Sequence, residues 1–269
     1  MTVGIRDAIA QVVEGRHLSE AEMAAAMEDI FDGTASAAQV GGLLVALRMK
    51  GETADELVGA ARVMRARALA LPGVPDGAVD TCGTGGDGAA TFNVSTAAGL
   101  VVAAAGVPVA KHGNRAASGK VGAADVLEAL GVVLEVTPEV LGACLRTVGF
   151  AFLYAPAFHP ALRHAAGPRR ELGLRTVFNL LGPLTNPARV RRQVVGVFDR
   201  RWLEPVATVL LRLGTERAWV VHGGGGLDEL SLEGETAVVE VRDGTVRART
   251  VTASEAGLLP APLALLRVG

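Results

Sequence analysis

The stretch Asp80–Asp125, DTCGTGGDGAATFNVSTAAGLVVAAAGVPVAKHGNRAASGKVGAAD, decides how the chain is organised. Ala78-Val79-Asp80-Thr81 reads as a short strand that empties into Gly83-Thr84-Gly85-Gly86-Asp87-Gly88. So many glycines leave a backbone nearly free of Cβ atoms, which can wrap closely around an anion. Asn93-Val94-Ser95-Thr96 then precedes a helical apolar run from Ala97 to Ala105, so hydroxyls and free N–H groups gather at a positive helix end. Phosphate oxygens favour that arrangement. A second strand, Val107 to Ala110, delivers Lys111-His112-Gly113-Asn114-Arg115 and a small-residue loop from Ala116 to Gly119, before a helix that starts near Gly122. Two strand–loop–helix turns therefore converge, one rich in N–H donors and one carrying fixed positive charge.

A glycine-rich turn after a strand is common in α/β proteins, and it is the pairing of two such loops that points to phosphate. No Gly-Lys-Ser or Gly-Lys-Thr closes the first loop as a P-loop would, and no acidic strand end follows at the distance a dinucleotide fold requires. Lys50, Lys111 and Lys120 are the only lysines among 26 basic residues, and two of the three fall in this stretch.

The blocks GTGGD, NVST and KHGNR, followed by SGK-x-GAADVLEALG, resemble the anthranilate phosphoribosyltransferase family, and the resemblance extends over essentially the whole chain. It implies transfer of the phosphoribosyl group of phosphoribosyl pyrophosphate to anthranilate, with release of pyrophosphate. The fold expected is α/β: a small N-terminal α-helical subdomain and a larger domain with a central, mostly parallel sheet flanked by helices.

With 269 residues, half of them hydrophobic, the chain can bury a sizeable core. A formal charge of −2 argues against a general nucleic-acid surface while allowing a local basic pocket. No apolar run is long enough for a signal or a membrane span, and a cytoplasmic location is expected. Cys82 and Cys144 are too few for a disulfide framework and lack metal-site spacing, so both are expected to be reduced thiols.

Residues 4 to 69 carry apolar positions three and four apart, with capping-box pairs at Ser19/Glu22, Ser36/Gln39 and Thr53/Glu56 and glycine stops at Gly15, Gly33 and Gly51. Three or four short helices without a strand are expected over 1–70. Gly41 to Leu47 is too apolar for an exposed helix and reads as core or as a dimer face; the resemblance implies a homodimer through these helices. Residues 71–77 are a turn-rich connector, expected to be the hinge, and 78–269 the α/β domain. Strands are expected at 78–81, 107–110, 132–135, 150–153, 193–198 and 217–222, with a hairpin of 238–241 and 246–251 around Asp243-Gly244. Thr137-Pro138 is a helix start.

From Phe152 to Pro187, four arginines (Arg163, Arg169, Arg170, Arg175) crowd a region with His159 and His164, and a guanidinium fork matches a planar carboxylate. A solvated helix face is the plain alternative for any one of them. The resemblance singles out Arg169, in the pattern R-x-x-L-G, for anthranilate. His222 to Ser231 sets four glycines before adjacent acids, an arrangement that can hold magnesium near a phosphate and is otherwise a solvated turn. The resemblance assigns the acids Asp228 and Glu229 to a Mg2+ site, joined by Ser95.

In full, the expected phosphoribosyl pyrophosphate ligands are Gly83, Gly86, Asp87, Thr91, Asn93, Val94, Ser95, Thr96, Lys111, His112, Gly113, Asn114, Arg115, Ser118, Gly119 and Ala123. Gly83, Asn114 and Arg169 are expected around anthranilate. Displacement of pyrophosphate needs positioning and charge neutralisation, and a free aromatic amine needs little help from a base, so no residue is given a dedicated catalytic role. The chain departs from the family pattern at Ala116, Ala123, Ala157, Phe158 and Gly225, and it is expected to lack the family's C-terminal helices. Two other readings stay open: a phosphoribosyltransferase or nucleoside phosphorylase of the same fold with another acceptor, and a truncated, inactive binding relative.

Overall fold

The computed structural model describes residues 4–116 and 121–267. Its helices, in chain order, are α1 (Ile5–Val13), α2 (Glu20–Phe31), α3 (Ala37–Lys50), α4 (Ala54–Arg67), α5 (Val94–Ala104), α6 (Ala123–Ala129), α7 (Pro138–Val148), α8 (Ala155–Phe158), α9 (Arg163–Leu172), α10 (Val177–Leu181) and α11 (Leu203–Arg212). The strands are β1 (Val79–Asp80), β2 (Val109–Gly113), β3 (Phe150–Tyr154), β4 (Arg192–Gly196), β5 (Arg217–His222), β6 (Glu235–Arg242) and β7 (Thr245–Thr252). They form two compact units.

The first unit gathers Met1–Ala68 and His159–Thr185. Its helix starts follow local chemistry: Ser19, Ser36 and Thr53 each cap their helix in a reciprocal capping box with Glu22, Gln39 and Glu56, worth about 1 kcal/mol apiece. Glu56 does more than cap. Its carboxylate is fully buried, accepts the Leu18 and Thr53 N–H groups and pairs with Lys50 at 3.0 Å, so three segments meet on one charge. Helices α2 and α4 cross closely enough that a Cβ at Gly59 would run into the Glu20 carbonyl. Within the Gly41–Leu47 segment Leu43, Leu44, Ala46 and Leu47 are buried, which places that face of α3 in the core, while Gly42 is exposed and Val45 half-buried. Helix α9 packs on α2 and α3, and α10 on α3 and α4. The sequence reading confined this unit to 1–70, whereas 159–185 returns to it. The Phe178 ring packs tilted against that of Phe31, centroids 6.5 Å apart, and Arg65 donates to the Leu184 carbonyl at 2.7 Å.

The second unit, Leu69–Phe158 with Asn186–Gly269, holds one seven-stranded sheet in the order β3-β2-β1-β4-β5-β6-β7. The first five strands of that order are parallel and β6 and β7 antiparallel, the last pair forming a hairpin at Asp243-Gly244. Val-rich parallel strands buried on both faces need helices on each side; α5 and α7 pack on the β2–β3 end and α11 on the β5–β7 end. Residues 132–135 do not form the expected strand. Only Leu134 of that run is buried, in a cluster with Ala124, Leu127 and Phe152, while Val133 is exposed, so the run behaves as a loop with one apolar anchor. No helix among the described residues is long and apolar enough to cross a membrane.

Candidate active site

The site in the second unit starts from β1, which is only two residues long and lies between β2 and β4. Because it stops early, the chain after Asp80 is released as a loop at the C-terminal end of the parallel strands, where open α/β sheets bind ligands. Gly85, Gly86 and Gly88 adopt positive φ, which residues with a Cβ rarely tolerate. Two bonds tie this loop to β4 and its continuation: the Thr84 N–H donates to the Gly196 carbonyl at 2.8 Å, and Thr84 Oγ1 accepts the Phe198 N–H at 3.0 Å.

Asn93 caps α5, accepting the Thr96 N–H at 3.0 Å and the Ser95 hydroxyl at 3.2 Å. Lys111, on β2, is 1% exposed. Its ammonium donates to the Thr81 carbonyl at 3.0 Å, to Ser95 Oγ at 3.1 Å and to Thr81 Oγ1 at 3.3 Å. Thr81 Oγ1 in turn donates to the Ser95 carbonyl at 2.9 Å. A long cation is thus held at the first turn of α5, against the strand end. Thr96 Oγ1 is buried with no hydrogen-bond partner among the described residues.

Opposite stand three carboxylates. Asp87 Oδ1 accepts the Ala89 N–H, and its Oδ2 accepts the Asp228 N–H at 3.3 Å, so the glycine loop reaches the Asp228–Glu229 loop. Burial, together with the charge of Asp87, pushes the Asp228 carboxyl up. Burial and the neighbouring Asp228 do the same to Glu229, against the pull of Lys111 and of the Ser95 N–H that the Glu229 carboxylate accepts. The Asp228 loop is closely fitted: a Cβ at Gly196 would collide with the Asp228 carbonyl, and one at Gly223 would lie 2.5 Å from the Glu229 carbonyl. Cys82 lies beneath, where burial pushes its thiol up and keeps it from acting as a nucleophile.

Ser95, Asn93, Lys111, Asp87, Asp228 and Glu229 thus come together around the first turn of α5, with Gly83 placed 3.3 Å, by its notional Cβ, from the Asp228 carboxylate. Val94 and Ala123 are the first residues of α5 and α6. Gly113 backs onto the Phe152 ring. Other expected residues are engaged elsewhere. Arg115 forms exposed ion pairs with Asp125 and Glu128, Asn114 Oδ1 accepts the Arg115 N–H, and Thr91 bridges to Arg267. Ser118 and Gly119 lie outside the described residues. Asp80, which sequence reasoning passed over, is fully buried; its Oδ2 accepts from Asn186 Nδ2 at 2.7 Å and its Oδ1 accepts the His112 N–H at 3.2 Å. Burial raises its pKa to about 6. A charged residue at the end of a buried strand was the available signal.

In the first unit, Arg169 on α9 stands with its guanidinium carbon 4.8 Å from the Phe178 ring centre. It is partly buried, burial lowers its pKa, and no carboxylate pairs with it among the described residues. A desolvated guanidinium on an aromatic face suits a flat carboxylate.

Comparison with known proteins places the chain in a family. The model of the glycosyl transferase family a/b domain matches residues 75–269, and that of the family's helical bundle domain matches 6–68. The anthranilate phosphoribosyltransferase of Afipia carboxidovorans is 54% identical over 261 residues, covering 97% of this chain and 77% of the relative. That of Pelotomaculum thermopropionicum is 55% identical over 265 residues, or 98% of this chain and 77% of its own. Among solved structures, anthranilate phosphoribosyltransferase from Thermus thermophilus superposes with a TM-score of 0.91 at 50% identity, covering 98% of this chain and 78% of that one. The Saccharomyces cerevisiae enzyme in complex with PRPP and Mg gives 0.88 at 27% identity, covering 98% and 77%. A glycine loop and a buried lysine meeting at one helix start, two adjacent acids, and relatives more than half identical over nearly all of this chain lead to one assignment: the chain belongs to the anthranilate phosphoribosyltransferase family.

Proposed function

We propose that the chain transfers the phosphoribosyl group of phosphoribosyl pyrophosphate to anthranilate, giving N-(5-phosphoribosyl)anthranilate and pyrophosphate in tryptophan biosynthesis. The observation that carries this reading is the Lys111 ammonium held against Ser95 at the N-terminus of α5, beside a loop of positive-φ glycines. The amine lone pair of anthranilate forms the new bond to the ribose carbon as the bond to pyrophosphate breaks and its electrons leave with the pyrophosphate; the amine then sheds a proton. Loop amides from Gly83 to Asp87, with Asn93, Ser95, Thr96 and Lys111, hold the diphosphate and neutralise the charge that grows on it. No side chain is assigned as a base.

Magnesium fits the donors. Asp228, Glu229 and Ser95 offer hard oxygen atoms, and two partly buried carboxyls, raised by burial and by the charge of a neighbouring acid (Asp87 beside Asp228, Asp228 beside Glu229), favour a cation near them. Among the described residues no three His, Cys, Asp or Glu side chains are grouped so as to hold an ion by themselves; Mg2+ commonly binds through one or two carboxylates plus substrate phosphates. Bound there, Mg2+ would neutralise pyrophosphate charge. Arg169 is proposed to take the anthranilate carboxylate, with Asn114 and Gly83 as further contacts.

A homodimer through the first unit is supported by an outward apolar stripe on α3, Ala38, Gly42, Val45 and Met49, at helical 4-3-4 spacing, with Met49 82% exposed. Two free cysteines suit the cytoplasm. The deciding experiment follows the loss of anthranilate fluorescence on addition of phosphoribosyl pyrophosphate, with and without Mg2+. Magnesium-dependent turnover that Arg169→Ala weakens at low anthranilate supports the reading; no turnover by the folded protein overturns it.

A further inference from the structure

We propose that Asp80 and Asn186 form a buried positioning clamp that sets the Lys111 ammonium at the first turn of α5. The inference rests on the reading of Lys111 as a ligand of phosphoribosyl pyrophosphate, and it adds two residues that neither glycine-loop nor acid-pair logic would supply.

Strand β2 has its full ladder with β3, five residues from Val109 to Gly113, but only Val109 pairs with β1. In a parallel strand the N–H and C=O of alternate residues point to the same neighbour, so Ala110 and His112 face the side that β1 has stopped covering. Buried backbone groups need partners. Side chains supply them: Asn186 Nδ2 donates to the Ala110 carbonyl at 2.8 Å and Asp80 Oδ1 accepts the His112 N–H at 3.2 Å. The two side chains are joined to one another at 2.7 Å, and Asn186 Oδ1 is fixed by the Ala188 N–H at 2.7 Å. Asp80 is wholly buried and Asn186 is 2% exposed.

The clamp therefore grips the backbone one residue before and one residue after Lys111. From that fixed point the lysine stem runs past α5, where a Cβ at Gly99 would lie 3.6 Å from Lys111 Cδ, to Thr81 and Ser95. Thr81 is the residue after Asp80, so both ends of the lysine are referenced to the same strand end. Asp80 also sets a negative charge near the ammonium. Neither clamp residue touches substrate; each acts through Lys111.

Two variants test this, Asp80→Asn, which keeps the size but turns an amide toward the Asn186 amide, and Asn186→Ala, which removes the bridge. With three lysines in the chain, 13Cε-lysine NMR gives three signals, assigned through Lys50→Arg and Lys120→Arg. In both variants the Lys111 signal is expected to move while the other two stay, and KM for phosphoribosyl pyrophosphate to rise about tenfold with KM for anthranilate held within about twofold. Folded variants with an unmoved Lys111 signal and unchanged KM values, or with an equal loss of kcat alone, overturn the clamp. If Asp80→Asn does not fold, Asn186→Ala decides, because it leaves the bond from Asp80 to His112 in place. A Lys111 signal displaced in both variants of a protein that never turns over anthranilate supports the clamp and sinks only the substrate assignment.

Discussion

Lys111 Nζ and Ser95 Oγ lie 3.1 Å apart across 16 residues of sequence, and the lysine that makes this bond is 1% exposed. An ammonium that has already given up its water and its rotamer freedom loses little more when a phosphate oxygen arrives.

Lys111→Met keeps the buried stem and removes the charge. A lost charge-assisted contact of about 2–3 kcal/mol predicts a fall of kcat/KM for phosphoribosyl pyrophosphate of ~30- to 150-fold, with fluorescence turnover as the readout. A fall under about threefold would show that the ammonium does not reach the diphosphate.

Arg169 stacks on Phe178 and has no carboxylate partner among the described residues. Arg169→Ala is expected to raise KM for anthranilate by ~30-fold, the cost of a lost guanidinium–carboxylate pair, and to lower stability by no more than about 1 kcal/mol. Urea denaturation alongside kinetics separates the two effects; a KM that stays put removes Arg169 from the acceptor site.

Gly196 lies against the Asp228 carbonyl so closely that a methyl group cannot fit, and its own carbonyl takes the Thr84 N–H. Gly196→Ala must push the acid loop and the glycine loop apart. The expected results are a stability loss of about 1–3 kcal/mol and a weakened response to Mg2+, read as the Mg2+ concentration at half-maximal rate. An unchanged Mg2+ response would mean that the fit at this point is not needed for catalysis.

His159 is buried, and burial lowers its pKa from the usual 6.5 to about 4, although a hydrogen bond with the Thr185 backbone pulls the other way. Its neutral form is the one the folded state prefers. Above pH 6.5 both states hold it neutral. As pH falls below that, the unfolded chain takes up the proton first, so stability is lost progressively down to about pH 4, by about 3 kcal/mol in total. Urea midpoints measured from pH 7 to pH 4 should show this decline in the wild type, and His159→Gln should lose it; parallel curves would assign the acid sensitivity to other groups.

Features set by neighbouring residues were legible in the sequence. Ser19, Ser36 and Thr53 cap their helices as spacing requires, β5 spans 217–222, and the hairpin turns at Asp243-Gly244. Contacts between distant residues were not. The bond of Asp87 to the Asp228 N–H spans 141 positions and that of Asn186 to Asp80 spans 106, and no periodicity reports on either. Arg115 illustrates the same limit: its charge suggested phosphate, but helix α6 sets Asp125 and Glu128 one turn apart within its reach. The 132–135 run failed for the opposite reason, since a local cluster of Val and Leu cannot say whether a strand place is free for it.

The first unit takes its helices from two separated pieces of chain, and this has a consequence for how the protein is made. Helices α1–α4 leave the ribosome early, but Phe31 must wait for Phe178, and Arg65 for the Leu184 carbonyl, until all of Leu69–Phe158 has been synthesised. Domains that emerge first usually fold first. Here the leading unit stays incomplete during translation, with apolar surface on α2, α3 and α4 lacking its α9 and α10 cover, and the part of the protein that begins earliest is among the later ones to close. Arrested nascent chains ending before His159 should be cut by protease in α1–α4, and chains that extend well past Thr185 should resist.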